Sequence, residues 1–207
     1  MNLVTAALGA ECRAEAARLA GSLRAHGWRA RLWVLSDAQV EGAEVRLVSG
    51  RLPRGVDIKT GFARFLPDLP ADSPVAWLDS DCLAIGPEPT WQRLAARSVA
   101  GVPWLTVAPG LRLSSRFQAA LLASAEGSLW LRAMFLHFDC LATAREVCGL
   151  WGQNYLGGED ESSLALSLAQ LGVSAASTGG KVDLPLPSLR HYFGLVSTLS
   201  LVRSAGE

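Results

Sequence analysis

Apolar positions in this chain fall into short runs, and their spacing switches between that of a strand and that of a helix. Leu3 to Leu8 is an apolar run suited to a buried strand. Glu11 to His26 sets Leu19 and Leu23 one turn apart among Ala and Arg, the spacing of an amphipathic helix. Gly27 stops that helix. Arg29 to Leu35 then alternates Arg29, Arg31 and Trp33 against Ala30, Leu32 and Val34, a second strand that ends at Ser36-Asp37. The chain therefore opens as a βαβ unit.

Glu44 to Val48 reads as a third strand, and residues 50–55, with Pro53, as a loop. Asp57 to Leu66 reads as a helix, with Asp57 at its N-cap and Ile58, Phe62, Phe65 and Leu66 on one face. After Pro67, Pro70 and Pro74, the run Val75-Ala76-Trp77-Leu78 is too short for a helix and fits a central strand covered on both faces. It stops at Asp79-Ser80-Asp81. Further helices are predicted over 90–97, 115–124, 142–150 and 160–171, and further strands over 99–102, 133–138 and 173–176, with a glycine-rich joint at 152–158. Residues 103–115 have no clear pattern. No repeat or linker divides residues 1–207, so the pattern predicts one α/β domain with a mixed sheet.

Composition narrows the classes. Half of the 207 residues are apolar, and 19 basic side chains balance 19 acidic ones. These figures exclude a disordered chain and a strongly basic nucleic-acid binder. The four cysteines, at 12, 82, 140 and 148, form no CxxC pair and read as small buried hydrophobes in a reducing compartment. The N-terminus has no basic leader before Glu11, and no apolar run reaches the roughly 18 residues of a membrane helix, so the expectation is a soluble cytoplasmic protein.

The acidic pair carries the chemistry. Two carboxylates one residue apart, at the carboxyl end of a buried strand, lie where open α/β sheets bind ligands. Their mutual repulsion calls for a cation, and hard ions such as Mg²⁺ and Mn²⁺ prefer carboxylate oxygen. One or two carboxylates leave much of an octahedral shell open for water and diphosphate oxygens. The competing reading makes Asp79 and Asp81 turn residues that cap backbone amides.

At these residues the sequence resembles the GT-A fold glycosyltransferases, particularly the glycogenin-like and lipopolysaccharide-galactosyltransferase-like group. Residues Val75 to Asp81 are similar to the family's strand and DxD element. The resemblance implies a Rossmann-like GT-A domain with a mixed, mostly parallel central sheet flanked by helices. It also implies that Asp79 and Asp81 hold Mn²⁺ or Mg²⁺ against the diphosphate of a sugar nucleotide, a UDP-sugar being favoured, with Ser80 beside the donor. Val4-Thr5-Ala6 and the helix carrying residues 22–27 resemble the family's opening strand and helix, which places Thr5 and Ala6 at the nucleotide. Lys59, before Phe62, Phe65 and Leu66-Pro67, resembles a lysine that approaches the donor. Phe138-Asp139-Cys140 resembles the end of a second family strand, and Asp160-Glu161 an acidic helix start at the acceptor. His191, in His191-Tyr192-Phe193-Gly194, resembles a third metal ligand. The chain departs from the family at Arg132-Ala133-Met134, where a polar Asn-Ser-Gly stretch is usual.

Each residue has a plainer reading. Asp160 and Glu161 suit the positive end of a helix dipole, Lys59 a solvated helix face, His191 a satisfied structural position, and His137 a packed or exposed position on a strand. The functional reading makes Asp160 or Glu161 the group that binds or deprotonates the acceptor hydroxyl, and makes Lys59 a counter-charge for the departing diphosphate. The expected activity is transfer of a sugar from a nucleoside diphosphate sugar to a hydroxyl acceptor, with retention or inversion left open. The alternatives are a non-catalytic nucleotide-sugar-binding module and a haloacid-dehalogenase-like phosphatase.

Overall fold

Leu3 and Val4, side by side on the first strand, are both fully buried but belong to different hydrophobic clusters. The sheet is therefore covered on both faces. The computed structural model describes residues 1–48, 55–84, 86–91, 99–104, 130–155, 160–173, 175–177 and 201–203. Nine strands are described: β1 (Asn2–Ala7), β2 (Arg31–Ser36), β3 (Glu44–Leu47), β4 (Val75–Leu78), β5 (Cys82–Ala84), β6 (Val99–Trp104), β7 (Trp130–Phe138), β8 (Ala175–Ser177) and β9 (Leu201–Arg203). The helices are α1 (Gly9–Ala25), α2 (Gly55–Thr60), α3 (Leu141–Asn154) and α4 (Asp160–Leu171), with a 3₁₀ turn at Phe62–Phe65.

The main sheet runs in the order β3-β2-β1-β4-β7-β6-β8, and β7 alone runs against the other six. It is a mixed, mostly parallel sheet flanked by helices. The chain leaves β1 to build β2 and β3 on one side, then returns to place β4 on the other side, with Asn2 opposite Val75 and Val4 opposite Trp77. Strand order reverses at the β1–β4 pair, and the carboxyl ends of these two strands flank the crevice where such sheets bind ligands. β5 pairs with β9 in a separate two-stranded sheet just past the acidic turn.

One face is covered by α1 through Ala16, Leu19, Ala20 and Leu23. The other is covered by Ile58 and Phe62 and by α3 and α4 through Leu141, Ala144, Val147, Trp151, Leu164 and Leu168. Buried and part-buried hydrogen bonds join α3 to α4. Trp151 Nε1 donates to Asp160 O (2.8 Å) and Ser163 Oγ (3.0 Å), and Asn154 Nδ2 donates to Ser167 Oγ (3.0 Å) and Gln170 Oε1 (2.9 Å).

Several sequence expectations change. The helix expected over 57–66 breaks at Gly61, whose φ of −124° is not helical, and the chain restarts as the 3₁₀ turn. Asp57 lies inside α2 rather than at its cap. β2 does not alternate: only Arg31 is exposed and Trp33 is buried, because layers pack on both sides. α3 runs past Gly152 to Asn154, since burying Trp151 outweighs the roughly 1 kcal/mol that an interior glycine costs. β7 begins three residues earlier than expected. The cysteines are free, but only Cys82 and Cys148 are fully covered; Cys140 instead caps α3, accepting from Thr143 N at 3.5 Å. His137 is packed at 1% exposure under Trp91, with ring centroids 6.4 Å apart. The helix expected over 115–124, most of that over 90–97, and residues 105–115 lie outside the described residues. Among the described residues, no helix is long and apolar enough to cross a membrane.

Candidate active site

At the carboxyl end of β4 the chain turns tightly, with Cys82 N donating to Asp79 O at 3.1 Å. Asp79 and Asp81 are therefore turn residues, as the plainer reading expects. Asp79 also pairs with two side chains. Trp77 shares its side of the strand and donates from Nε1 to Asp79 Oδ1 at 3.0 Å, and Lys59 Nζ sits 3.0 Å from the same oxygen. Lys59 also lies 2.8 Å from Asp160 Oδ2. One ammonium thus joins three elements: α2, the end of β4 and the start of α4.

The local sequence explains how each is held. Ile58 and Phe62 bury on either side of Lys59 and anchor its helical turn in the core. Trp151 grips the Asp160 carbonyl, which also accepts from Ser163 Oγ at 2.8 Å, so the first turn of α4 is pinned from two directions. The Glu161 amide donates to Asp160 Oδ1 at 3.1 Å.

Side-chain exposures of 12% for Lys59, 17% for Asp79 and 21% for Asp160 make this a largely desolvated cluster. Burial works against the Lys59 ammonium, but the Asp79 and Asp160 carboxylates outweigh it and raise its pKa above the usual lysine range. For Asp160, burial is likewise overcome, here by the Glu161 hydrogen bond and the Lys59 charge, and its pKa falls. Glu161 moves the other way, raised by burial and by its hydrogen bond and repulsion with Asp160. Neighbouring carboxyls pushed apart in this manner suit one to hold charge and the other a proton.

On the α1 side, Ser80 Oγ donates to Glu15 Oε2 at 2.9 Å, and Ala84 N donates to Ser22 Oγ at 3.0 Å, so α1 tethers both limbs of the acidic turn. Asp81 lies near enough to Cys12 for its charge to help raise the thiol's pKa, after burial and the charges of Glu15 and Glu11. Thr5 is fully buried on β1, and its hydroxyl oxygen has no hydrogen-bond partner among the described residues; Ala6 is half-buried on the opposite face.

Of the residues expected at the site, Lys59, Asp79 and Asp160 come together directly, with Glu161 against Asp160 and Ser80 and Asp81 in the same turn. Thr5 and Ala6 lie on the adjoining strand. His191 lies outside the described residues. Sequence reasoning missed Glu15, which looks like any polar residue of an amphipathic helix, and Trp77 and Trp151 as hydrogen-bond donors to the site. Tryptophans adjoining acidic segments were the available signal for the latter two.

The donor chemistry suits a hard divalent ion, because two carboxylates share one turn. Among the described residues, no three His, Cys, Asp or Glu side chains are grouped as metal ligands. Asp79 already takes two N–H donors on one oxygen, so an ion there would share it with Lys59 or displace the ammonium.

The mixed sheet with its reversed β7 has a GT-A glycosyltransferase-like fold, as its likeness to solved structures shows. Among solved structures, the chain is similar to the galactosyltransferase LgtC in complex with donor and acceptor sugar analogues, with a TM-score of 0.62 and 16% identity over all of this chain and 87% of that one. It is also similar to an active-site mutant of LgtC, with a TM-score of 0.59 and 16% identity over all of this chain and 88% of the other. No protein-family model and no curated protein matches the sequence.

Proposed function

We propose that this chain is a glycosyltransferase that moves a sugar from a nucleoside diphosphate sugar, a UDP-sugar being favoured, to a hydroxyl acceptor. The observation that carries the reading is the Lys59 ammonium held between Asp79 and Asp160 at the point where strand order reverses. A buried cation beside an acidic turn suits a ligand that brings a diphosphate to that crevice, and the fold likeness to LgtC, crystallised with donor and acceptor sugar analogues, supports the same class.

Asp79 and Asp81 would hold Mn²⁺ or Mg²⁺, with His191 as a third ligand. When bound, the ion supplies Lewis-acid neutralisation of the diphosphate. Lys59 offers the leaving diphosphate a preorganised positive charge that needs no solvent reorganisation. Asp160, kept ionised, would face the acceptor side, accept a hydrogen bond from the attacking hydroxyl and take its proton as the new glycosidic bond forms, while Glu161, inclined to hold its proton, would orient the acceptor by donating a hydrogen bond. Glu15, through Ser80, keeps the acidic turn from opening. Thr5 and Ala6 line the strand beside the nucleotide. Likeness to a glycosyltransferase fold stands against the phosphatase alternative.

The test is thermal unfolding with UDP, GDP, ADP and CDP, each with and without Mn²⁺, followed by a panel of the corresponding sugar donors assayed for transfer and hydrolysis. One diphosphate should raise the Tm by mass action, and Asp81→Ala should abolish the metal-dependent part. If no diphosphate shifts the wild type, or Asp81→Ala leaves the shift unchanged, the site is misassigned. Binding without transfer or hydrolysis of any donor would instead make the chain a binding module.

A further inference from the structure

We propose that Lys59 is the resident counter-cation of the acidic turn and competes with a divalent ion for Asp79 until a diphosphate draws the ammonium away. This rests on the donor site assigned above and adds an order of events to it. Lys59 Nζ lies 3.0 Å from Asp79 Oδ1, and Trp77 Nε1 lies 3.0 Å from the same oxygen. A carboxylate oxygen offers about two lone-pair directions, so these two donors fill Oδ1, and an ion taken by Asp79 has either to displace one of them or to bind Oδ2 with the ammonium still on the same carboxylate. An ammonium and a dication on one carboxylate also repel each other, and with Lys59 12% exposed water screens that repulsion poorly.

The second ion pair gives the lysine somewhere to turn. Asp160 Oδ2, 2.8 Å from Nζ, is carried on a helix start pinned by Trp151. A lysine stem is flexible, whereas this carboxylate is fixed. Lys59 can leave Asp79 by pivoting about Asp160, without moving into bulk solvent. A diphosphate arriving in the crevice offers the ammonium a new anionic partner and frees Asp79 for the ion. Metal alone therefore binds weakly, while metal and diphosphate strengthen each other's binding reciprocally.

Mn²⁺ binding by the full chain, followed by the electron paramagnetic resonance signal of the free ion, tests this for wild type, Lys59→Met and Lys59→Arg with and without UDP. Without UDP, Lys59→Met should bind Mn²⁺ at least about tenfold more tightly than wild type, the size of one modest charge–charge repulsion. Lys59→Arg should match wild type, and UDP should improve Mn²⁺ affinity far more in wild type than in Lys59→Met. If Lys59→Met binds Mn²⁺ alone no more tightly than wild type, while UDP and Mn²⁺ still bind together, the competition is overturned and the donor site stands. If no form binds Mn²⁺ even with UDP, GDP, ADP or CDP, the donor-site reading falls, and the proposal with it.

A measurement on wild type alone guards against misfolding of Lys59→Met. The chain has two lysines, Lys59 and Lys181. Saturating Mn²⁺ without UDP should accelerate acylation of Lys59 relative to Lys181, as read by mass spectrometry. An unchanged ratio while Mn²⁺ is bound would overturn the proposal.

Discussion

Replacing Lys59 by Met removes the one positive charge described between Asp79 and Asp160 while keeping most of the stem's apolar contacts. The cluster is less than a quarter exposed at each of the three side chains. Its loss therefore belongs with buried ion pairs, where removing one partner costs about 3 kcal/mol or more because the other charges remain uncompensated. Asp160→Asn should cost less, about 2 kcal/mol, since Lys59 keeps Asp79 and loses one charge-assisted hydrogen bond. In the double variant the second change relieves part of the carboxylate repulsion left by the first, so the two costs should fall short of adding by about 1–2 kcal/mol. Urea unfolding followed by tryptophan fluorescence measures all four corners of the cycle, because Trp77 and Trp151 both touch the cluster. The cost of Lys59→Met should persist in 1 M salt, unlike that of an exposed pair. Equal small costs for both single variants, or strict additivity, would show that the ammonium does not couple the two acids.

Three further outcomes are expected. Burial holds His137 down to about 4, with Asp139 partly opposing the shift. The unfolded chain then takes up a proton near 6.5 and the folded chain only near 4, so stability should fall as pH drops through that window, by about 3 kcal/mol in all. The difference between wild type and His137→Phe in urea midpoint against pH should show this fall, and a flat difference would refute it. Thr5→Val removes a buried hydroxyl with no partner among the described residues, so urea unfolding should show no loss of stability and a gain of up to about 1 kcal/mol; a loss above that size would contradict the geometry. Trp151→Phe forfeits the N–H shared by Asp160 O and Ser163 Oγ and should cost about 2 kcal/mol, with a matching fall in transfer rate once a donor is identified; an unchanged rate would dissociate Asp160 from the chemistry.

The acidic turn was legible in the sequence because an apolar run too short for a helix stops abruptly at two carboxylates, and that contrast survives folding as β4 and its turn. Asp160 and Glu161 were legible as a helix start, and Lys59 as a scarce cation. Their meeting was not. Residues 59, 79 and 160 are far apart in the chain, and only the placement of β1 between β2 and β4, with α3 locked to α4, brings them within 3 Å of one ammonium. Local pattern also misjudged boundaries that tertiary packing decides. Ile58 and Phe62 looked like one helical face, yet Gly61 breaks the backbone between them while both side chains stay in the core. Glu15 could not be singled out at all, since its partner Ser80 lies 65 positions away.

The most direct test is a crystal structure of wild type grown with Mn²⁺ and the diphosphate that stabilises it. The account places the pyrophosphate at the β1–β4 crevice, within hydrogen-bond reach of Lys59 Nζ, with Asp79 and Asp81 on the ion. A diphosphate bound elsewhere on the molecule, with Lys59 still held between Asp79 and Asp160, would contradict it.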